Sequence, residues 1–172
     1  MTVDSGIPGL TLEPGGHVCG VFRAPEERDG AMAAFFRAGL LAGDRSVVVV
    51  DAADAGAVLS RVGSPSEIAD WRRTGLLDVR SSAVPSRSRK DPTPDGMPGV
   101  WGEIVDPAWP AGIRLGAEAS CWLPRAGPDS LIRYENEVAR YIPEQLVVLC
   151  LYDLNRFGAG VLIDAIRMHP QV

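Results

Sequence analysis

Residues 145–172 read QLVVLCLYDLNRFGAGVLIDAIRMHPQV, and this stretch decides the fold. Leu146, Val147, Val148, Leu149, Cys150 and Leu151 carry no charge and favour extended backbone, as a strand covered on both faces requires. Tyr152, Asp153 and Asn155 follow where such a strand emerges, and ligands of open α/β sheets bind in the crevice at those carboxyl ends. Val161, Leu162, Ala165, Ile166 and Met168 then recur at helical spacing, which lays a helix back across the sheet. His169-Pro170 closes it.

The same strand-then-helix alternation runs back through the chain. His17–Phe22 reads as a strand that places His17, Cys19 and Val21 on one face. Pro25, Glu26 and Glu27 supply the first turn of a helix that runs through Met32, Phe35, Phe36 and Leu40 to Gly43. Val47–Val50 is a second strand with Asp51 at its exit. Helical segments over 54–61 and 66–74 follow, the latter capped by Ser64 or Ser66 and ended by Gly75. Leu76–Arg80 and Ile113–Ala119 are further strands. Asp129 can cap a helix ended by Pro143, whose apolar stripe of Leu131, Val138 and Ile142 also holds Glu135. Alternating βα units argue for an α/β fold, a mostly parallel sheet sandwiched by helices.

Two regions fall outside the pattern. Residues 1–14, with Gly6, Pro8, Gly9 and Pro14, read as a disordered tail that ends in a Gly15-Gly16 turn. Residues 83–112 hold six of the 14 prolines together with Trp101 and Trp109, so this insert is a lid or a disordered loop rather than regular structure. Residues 15–172 are expected to form a single domain.

Charge and composition exclude several classes. A net charge of −5 offers no basic field for direct binding of nucleic acid or anionic lipid. No apolar run approaches the roughly 20 residues of a membrane span, and no signal-peptide core precedes the first strand. Three cysteines, Cys19, Cys121 and Cys150, make no disulfide framework, so a cytoplasmic protein with reduced thiols is expected. The turn RAPEERDGA at 23–31 lacks the GxxxxGK[S/T] pattern and any lysine, and its glutamates would repel phosphate.

Two constellations carry chemistry. His17 and Cys19 share a strand face, Cys150 lies in the last strand, and a helix returning antiparallel brings His169 to the amino edge beside His17. Two His and two Cys form a tetrahedral metal set or a redox-responsive one. In the plainer alternative the cysteines are small buried hydrophobes and His169 caps helix carbonyls. Carboxylates make the second group: Glu118 ends a strand, Asp153 follows another, and Glu135 interrupts an apolar stripe. Buried carboxylates need partners, and Arg114, Arg133 and Arg156 stand nearby in sequence. These are either structural ion pairs or polar anchors of a pocket walled by Trp122 and Tyr152.

With these residues in view, the chain resembles the MEDS family, the methanogen/methylotroph sensory domain of dichloromethane-responsive regulators. Gly15-Gly16-His17-Val18-Cys19 matches the family's opening G-[DG]-H-x-C strand, and Glu118-Ala119-Ser120-Cys121-Trp122 matches its E-x-S-W segment with one extra residue. Tyr134-Glu135, Cys150-Leu151-Tyr152-Asp153 and His169-Pro170 match its YE helix, C-x-Y-D strand exit and closing HP. The resemblance spans about residues 15–172 and implies a RecA-like three-layer sandwich without a phosphate-binding loop, used to sense small molecules. It also implies an output partner: a kinase-like, anti-sigma or DNA-binding regulatory protein. The sequence shows no output module of its own, so the signal is expected to pass to a separate partner, or the chain is part of a longer protein.

The resulting expectation is a non-enzymatic sensory domain for a small, partly apolar ligand held by Glu118, Trp122, Glu135, Cys150, Tyr152, Asp153 and Arg156. His17, Cys19 and His169 form a second cluster, structural or metal-ligating. The sequence names no cofactor. The alternatives are a metal- or redox-responsive switch using His17, Cys19, Cys150 and His169, and a RecA-like enzyme that binds nucleotide unconventionally.

Overall fold

Uncharged, β-branched runs such as Val47–Val50 bury both faces of a strand, and in this chain they assemble one parallel sheet. The computed structural model describes residues 2–81, 102–105, 109, 111–119, 133, 135–136, 139–140 and 142–169. Its elements are β1 (Val3–Asp4), β2 (Thr11–Leu12), β3 (His17–Phe22), α1 (Pro25–Ala42), β4 (Arg45–Val50), α2 (Ala55–Val62), α3 (Pro65–Arg73), β5 (Leu77–Ser81), β6 (Ile113–Glu118), β7 (Leu146–Asp153) and α4 (Ala159–Met168). Strands β3 to β7 form the sheet in the order β3-β7-β6-β4-β5, and every pairing is parallel. The stretch at 145–172 therefore supplies a central strand, flanked by β3 and β6, and the helix that covers it.

Side chains alternate between the two faces of each strand, and two separate cores result. On one face α1 and α2 bring Met32, Phe35, Phe36, Val58 and Val62 onto Val18, Val48, Val50, Val147 and Leu149. On the other, Leu162 and Ala165 of α4, together with Ile104, cover Cys19, Val47, Leu115, Val148 and Cys150. This is an α/β layered architecture consistent with a RecA-like three-layer sandwich.

Local chemistry fixes the helix ends. Ala24 is a poor N-cap, and the Glu27 carboxylate takes over by accepting the Arg23 and Ala24 N–H groups at 2.7 and 3.4 Å. Gly43, with φ 87°, supplies the left-handed residue that ends α1. Ser64 caps α3 in a reciprocal box with Glu67. Buried Arg114 on β6 lies against α1, donating to Asp44 at 2.9 Å and to the Phe35 carbonyl at 3.0 Å.

The amino-terminal segment differs from the expected disordered tail. β1 and β2 pair antiparallel, and the turn between them is held by the Ser5 hydroxyl, which donates to the Ile7 and Leu10 carbonyls. Leu12 is fully buried against the α1 face, a burial worth about 1.5–3 kcal/mol. Glycine and proline set the turns here, and the few apolar residues between them anchor the segment. The proline-rich insert at 83–112, expected as a lid or a disordered loop, lies largely outside the described residues. Within it, Ile104 is buried, its carbonyl accepts from Arg45 at 2.9 Å, and Trp109 packs on the same core.

Candidate functional site

Four polar side chains meet inside the face covered by α4. His17 opens β3 and pairs in register with Val148, and two residues on Cys19 pairs with Cys150. Period two puts His17, Cys19, Cys150 and Tyr152 on the same side of the sheet. α4 runs back over that side and delivers His169 at its C-cap. Glu135, itself helical, completes the group. One ligand-type atom each from His17, Glu135, Cys150 and His169 lies within 4.8 Å of all the others, and all four residues are buried.

The contacts are short. His17 Nε2 stands 2.8 Å from His169 Nε2, 3.2 Å from Cys150 Sγ and 3.5 Å from Glu135 Oε2. His169 Nε2 is 3.3 Å from the same carboxyl oxygen. A carbonyl only accepts, so the 2.7 Å contact of His169 Nδ1 with the Ala165 carbonyl makes Nδ1 the N–H and leaves a lone pair on Nε2. The Tyr152 hydroxyl donates to Glu135 Oε1. Among the described residues, Glu135 Oε2 and His17 Nδ1 find no hydrogen-bond partner, although both are buried.

Burial drives every group here toward neutrality. It pushes the Glu135 carboxyl up to about 8. It pulls His17 down to about 2, aided by neighbouring His169, and lowers His169 against the opposing Ala165 carbonyl. Burial, then the Glu135 charge, pushes the Cys19 thiol up to about 12 and raises Cys150 as well. The four convergent groups, two imidazoles, the Cys150 thiol and a carboxyl, are a dense set of donors aimed at one point.

The structure regroups the residues expected from sequence. Register pairs Ala117 with Cys150 and Glu118 with Leu151, so Glu118 faces the α1 side while Glu135, Cys150 and Tyr152 face the α4 side. The single pocket expected from these residues is thus divided by the sheet. Glu118 meets a partner that sequence reasoning missed: Arg28 of α1 donates to Glu118 and Asp54 at 2.8 Å each, and its Nε to Asp29 at 2.9 Å. Burial weakens the Arg28 charge, but hydrogen bonds to Asp54, Glu118 and Asp29 outweigh it and raise its pKa. A signal was present, since Arg28 falls on the same helical stripe as Met32 and Phe35. Arg114, considered as a partner for Glu118, Glu135 or Asp153, pairs with the Asp44 carboxylate instead.

His17 and His169 meet as expected, and Cys150 joins them. Cys19 is the in-register neighbour of Cys150 but stands outside the four convergent groups. Asp153 ends β7 and organises its exit: its Oδ1 accepts the Asn155 backbone N–H at 2.8 Å and the Asn155 side-chain amide at 3.0 Å. That amide also donates to the Arg23 carbonyl at 2.8 Å, tying the β7–α4 turn to the β3–α1 turn. Arg156 Nε lies 3.5 Å from Asp153. Trp122 lies outside the described residues. No described helix is long and apolar enough to cross a membrane.

The family model described as the methanogen/methylotroph, DcmR sensory domain (MEDS) matches residues 16–170, nearly the whole chain. No individual curated protein matches. The matched span begins at the residue before His17 and ends at the residue after His169, so it encloses all four convergent groups.

Proposed function

We propose, on the premise that this chain belongs to the MEDS family of sensory domains, that its stimulus acts at the buried His17–Glu135–Cys150–His169 centre and that its response passes to a protein partner. The observation that carries this is Glu135, a fully buried carboxyl whose Oε2 has no hydrogen bond among the described residues yet lies beside two imidazole nitrogens. A polar atom buried without a partner costs about 1–3 kcal/mol. A binding role offsets such a cost, because an incoming group satisfies the atom.

The stimulus is a small, partly apolar molecule. Its polar end meets the centre, and its apolar part meets the Tyr152 and Phe157 rings, whose centroids are 5.7 Å apart. In keeping with a family of sensory domains, the domain acts in this reading as a receptor rather than an enzyme. The partner is a kinase-like, anti-sigma or DNA-binding regulatory protein, which receives the signal without direct contact between this acidic chain and nucleic acid. A phosphate-binding loop forms no part of this reading, and the cytoplasm is its setting.

The test is a thermal-shift panel of small alcohols, amines and carboxylic acids on wild type and Glu135→Gln. A ligand at 100 times its dissociation constant stabilises the fold by about 2.7 kcal/mol. A shift in wild type that disappears in the variant is expected. Shifts that survive Glu135→Gln unchanged would place the receptor site elsewhere.

A further inference from the structure

We propose that His17 Nε2, His169 Nε2, Glu135 Oε2 and Cys150 Sγ are the four ligands of a zinc-class divalent transition metal. The proposal rests on the reading that this centre takes the stimulus, and names the metal ion as part of the receptor.

Geometry carries it first. Metal–nitrogen and metal–oxygen bonds of about 2.0–2.2 Å and a metal–sulfur bond of about 2.3 Å place neighbouring ligand atoms of a tetrahedral site roughly 3.3–3.8 Å apart. Here four of the separations are 2.8, 3.2, 3.3 and 3.5 Å, and all lie within 4.8 Å. The His–His edge must open by about half an ångström to reach that range. The gap among atoms this close takes a bare cation rather than an organic group, so the small molecule's polar end meets the filled centre from its edge.

Hydrogen bonding carries it second. His169 presents a lone pair at Nε2 because Nδ1–H is held by the Ala165 carbonyl, the outer contact that fixes the tautomer of a metal-bound histidine. If no cation intervenes, His17 donates from Nε2 to His169 Nε2, which leaves Glu135 Oε2 buried and without a hydrogen bond among the described residues. A cation at the centre draws both Nε2 lone pairs and Oε2 to itself. Tyr152 completes the second layer by holding Glu135 Oε1.

Donor chemistry selects the metal. Two imidazoles, a thiolate and a carboxylate suit zinc, iron(II), cobalt, nickel or copper rather than magnesium or calcium, which prefer oxygen. Coordination replaces the thiol proton of Cys150 and the carboxyl proton of Glu135, which pass to solvent. A divalent ion balanced by one thiolate and one carboxylate leaves the buried centre with no net charge, and burial favours such neutrality. Cys19 lies outside the ligand set.

The experiment starts from protein purified without a histidine tag, analysed for metal, stripped with chelator and reloaded with cobalt(II). Expected results are about one equivalent of bound metal and a sulfur-to-cobalt charge-transfer band. That band disappears in Cys150→Ser and persists in Cys19→Ser. Tyr152→Phe should weaken metal affinity about 10–100-fold. Folded wild type that takes up none of the five metals overturns the proposal, as does a cobalt complex without the sulfur band or one that loses it in Cys19→Ser. The wild-type spectrum decides even where Cys150→Ser does not fold. Repeating the small-molecule panel on loaded and stripped protein separates the two readings. Metal bound without any small-molecule response sinks the small-ligand reading alone. A response identical in both forms removes the metal from the receptor.

Discussion

The Nε2 atoms of His17 and His169 lie 2.8 Å apart although 152 positions separate the residues in the chain. One opens the edge strand β3, and the other closes α4 after its return across the sheet. The rings are 4.0 Å apart between centroids, and Glu135 faces both. The centre therefore links the first sheet strand, the last helix and a third helical segment. A displacement of any one of these side chains would bear on all three elements.

In metal-free protein this centre sets a pH dependence. The carboxyl of Glu135 rises from an ordinary 4.5 to about 8 in the fold, so the native state holds its proton more tightly than the unfolded chain. Its contribution is complete below about 4.5 and is lost as pH rises through 8, at up to about 1.4 kcal/mol per pH unit. His17 falls from 6.5 to about 2, so its contribution is present above 6.5 and is lost as pH falls toward 2. The Glu135 slope opposes the His17 slope between 4.5 and 6.5, and His169, also lowered, adds to the His17 side just below 6.5. Stability should therefore not decline with rising pH in that window. Urea denaturation with chelator across pH 4–9 is the measurement, and Glu135→Gln should abolish the decline between 6.5 and 8. A decline that persists in the variant would assign it to other groups.

On the opposite face, Arg28 serves three carboxylates, and Glu118 and Asp29 are buried with it. Removing one member of a buried pair costs about 3–5 kcal/mol because a charge is left uncompensated. Arg28→Met should lose that much by chemical denaturation. The double variant Arg28→Met, Glu118→Met should be more stable than the single one. Equal destabilisation of the two would show that the carboxylates find water or another partner.

The α1 amino terminus gives a third prediction. The N–H groups of Arg23 and Ala24, which an anion would seek there, already serve the Glu27 carboxylate, and those bonds lower the Glu27 pKa. A phosphate would have to displace a carboxylate of like sign. Millimolar ATP with magnesium should leave the melting temperature unchanged, and a rise of several degrees would count against this reading.

Much of this fold was legible in the sequence because buried parallel strands carry long apolar runs and helices end at marked residues. Val47–Val50, Leu146–Leu151, the Gly43 terminus and the Ser64 cap are all local signals. The meeting of His17 with His169 followed from the rule that a crossover helix runs antiparallel to its strand. Register is not local. That Glu118 and Cys150 lie on opposite faces depends on β6 pairing Ala117, not Glu118, with Cys150, and a shift of one residue would have put them together. Glu135 was visible as a charge on an apolar stripe, but which face that helix covers is set by packing. The hairpin at the amino terminus was hidden because its strands are two residues each, too short for a periodic signal.

Asp153 separates structure from signalling most cleanly. It ends the central strand, where a parallel sheet presents ligand-binding side chains, and it is half-shielded from solvent, with its carboxylate bonded twice to Asn155 and placed near Arg156. Through Asn155 it also fixes the turn that bonds to the Arg23 carbonyl, so the exit of β7 and the entry to α1 share one joint. Asp153→Asn keeps an oxygen acceptor for the Asn155 N–H and removes the charge, and should cost about 1 kcal/mol or less. Asp153→Ala removes the acceptor and should cost more, about 1–2 kcal/mol. If Asp153 serves the response, Asp153→Asn melts near wild type yet fails to change partner binding when the centre is filled. Partner binding is read by titration against metal-loaded and stripped protein. A loss of several kcal/mol in Asp153→Asn with the partner response intact would make the residue a structural strut of the turn.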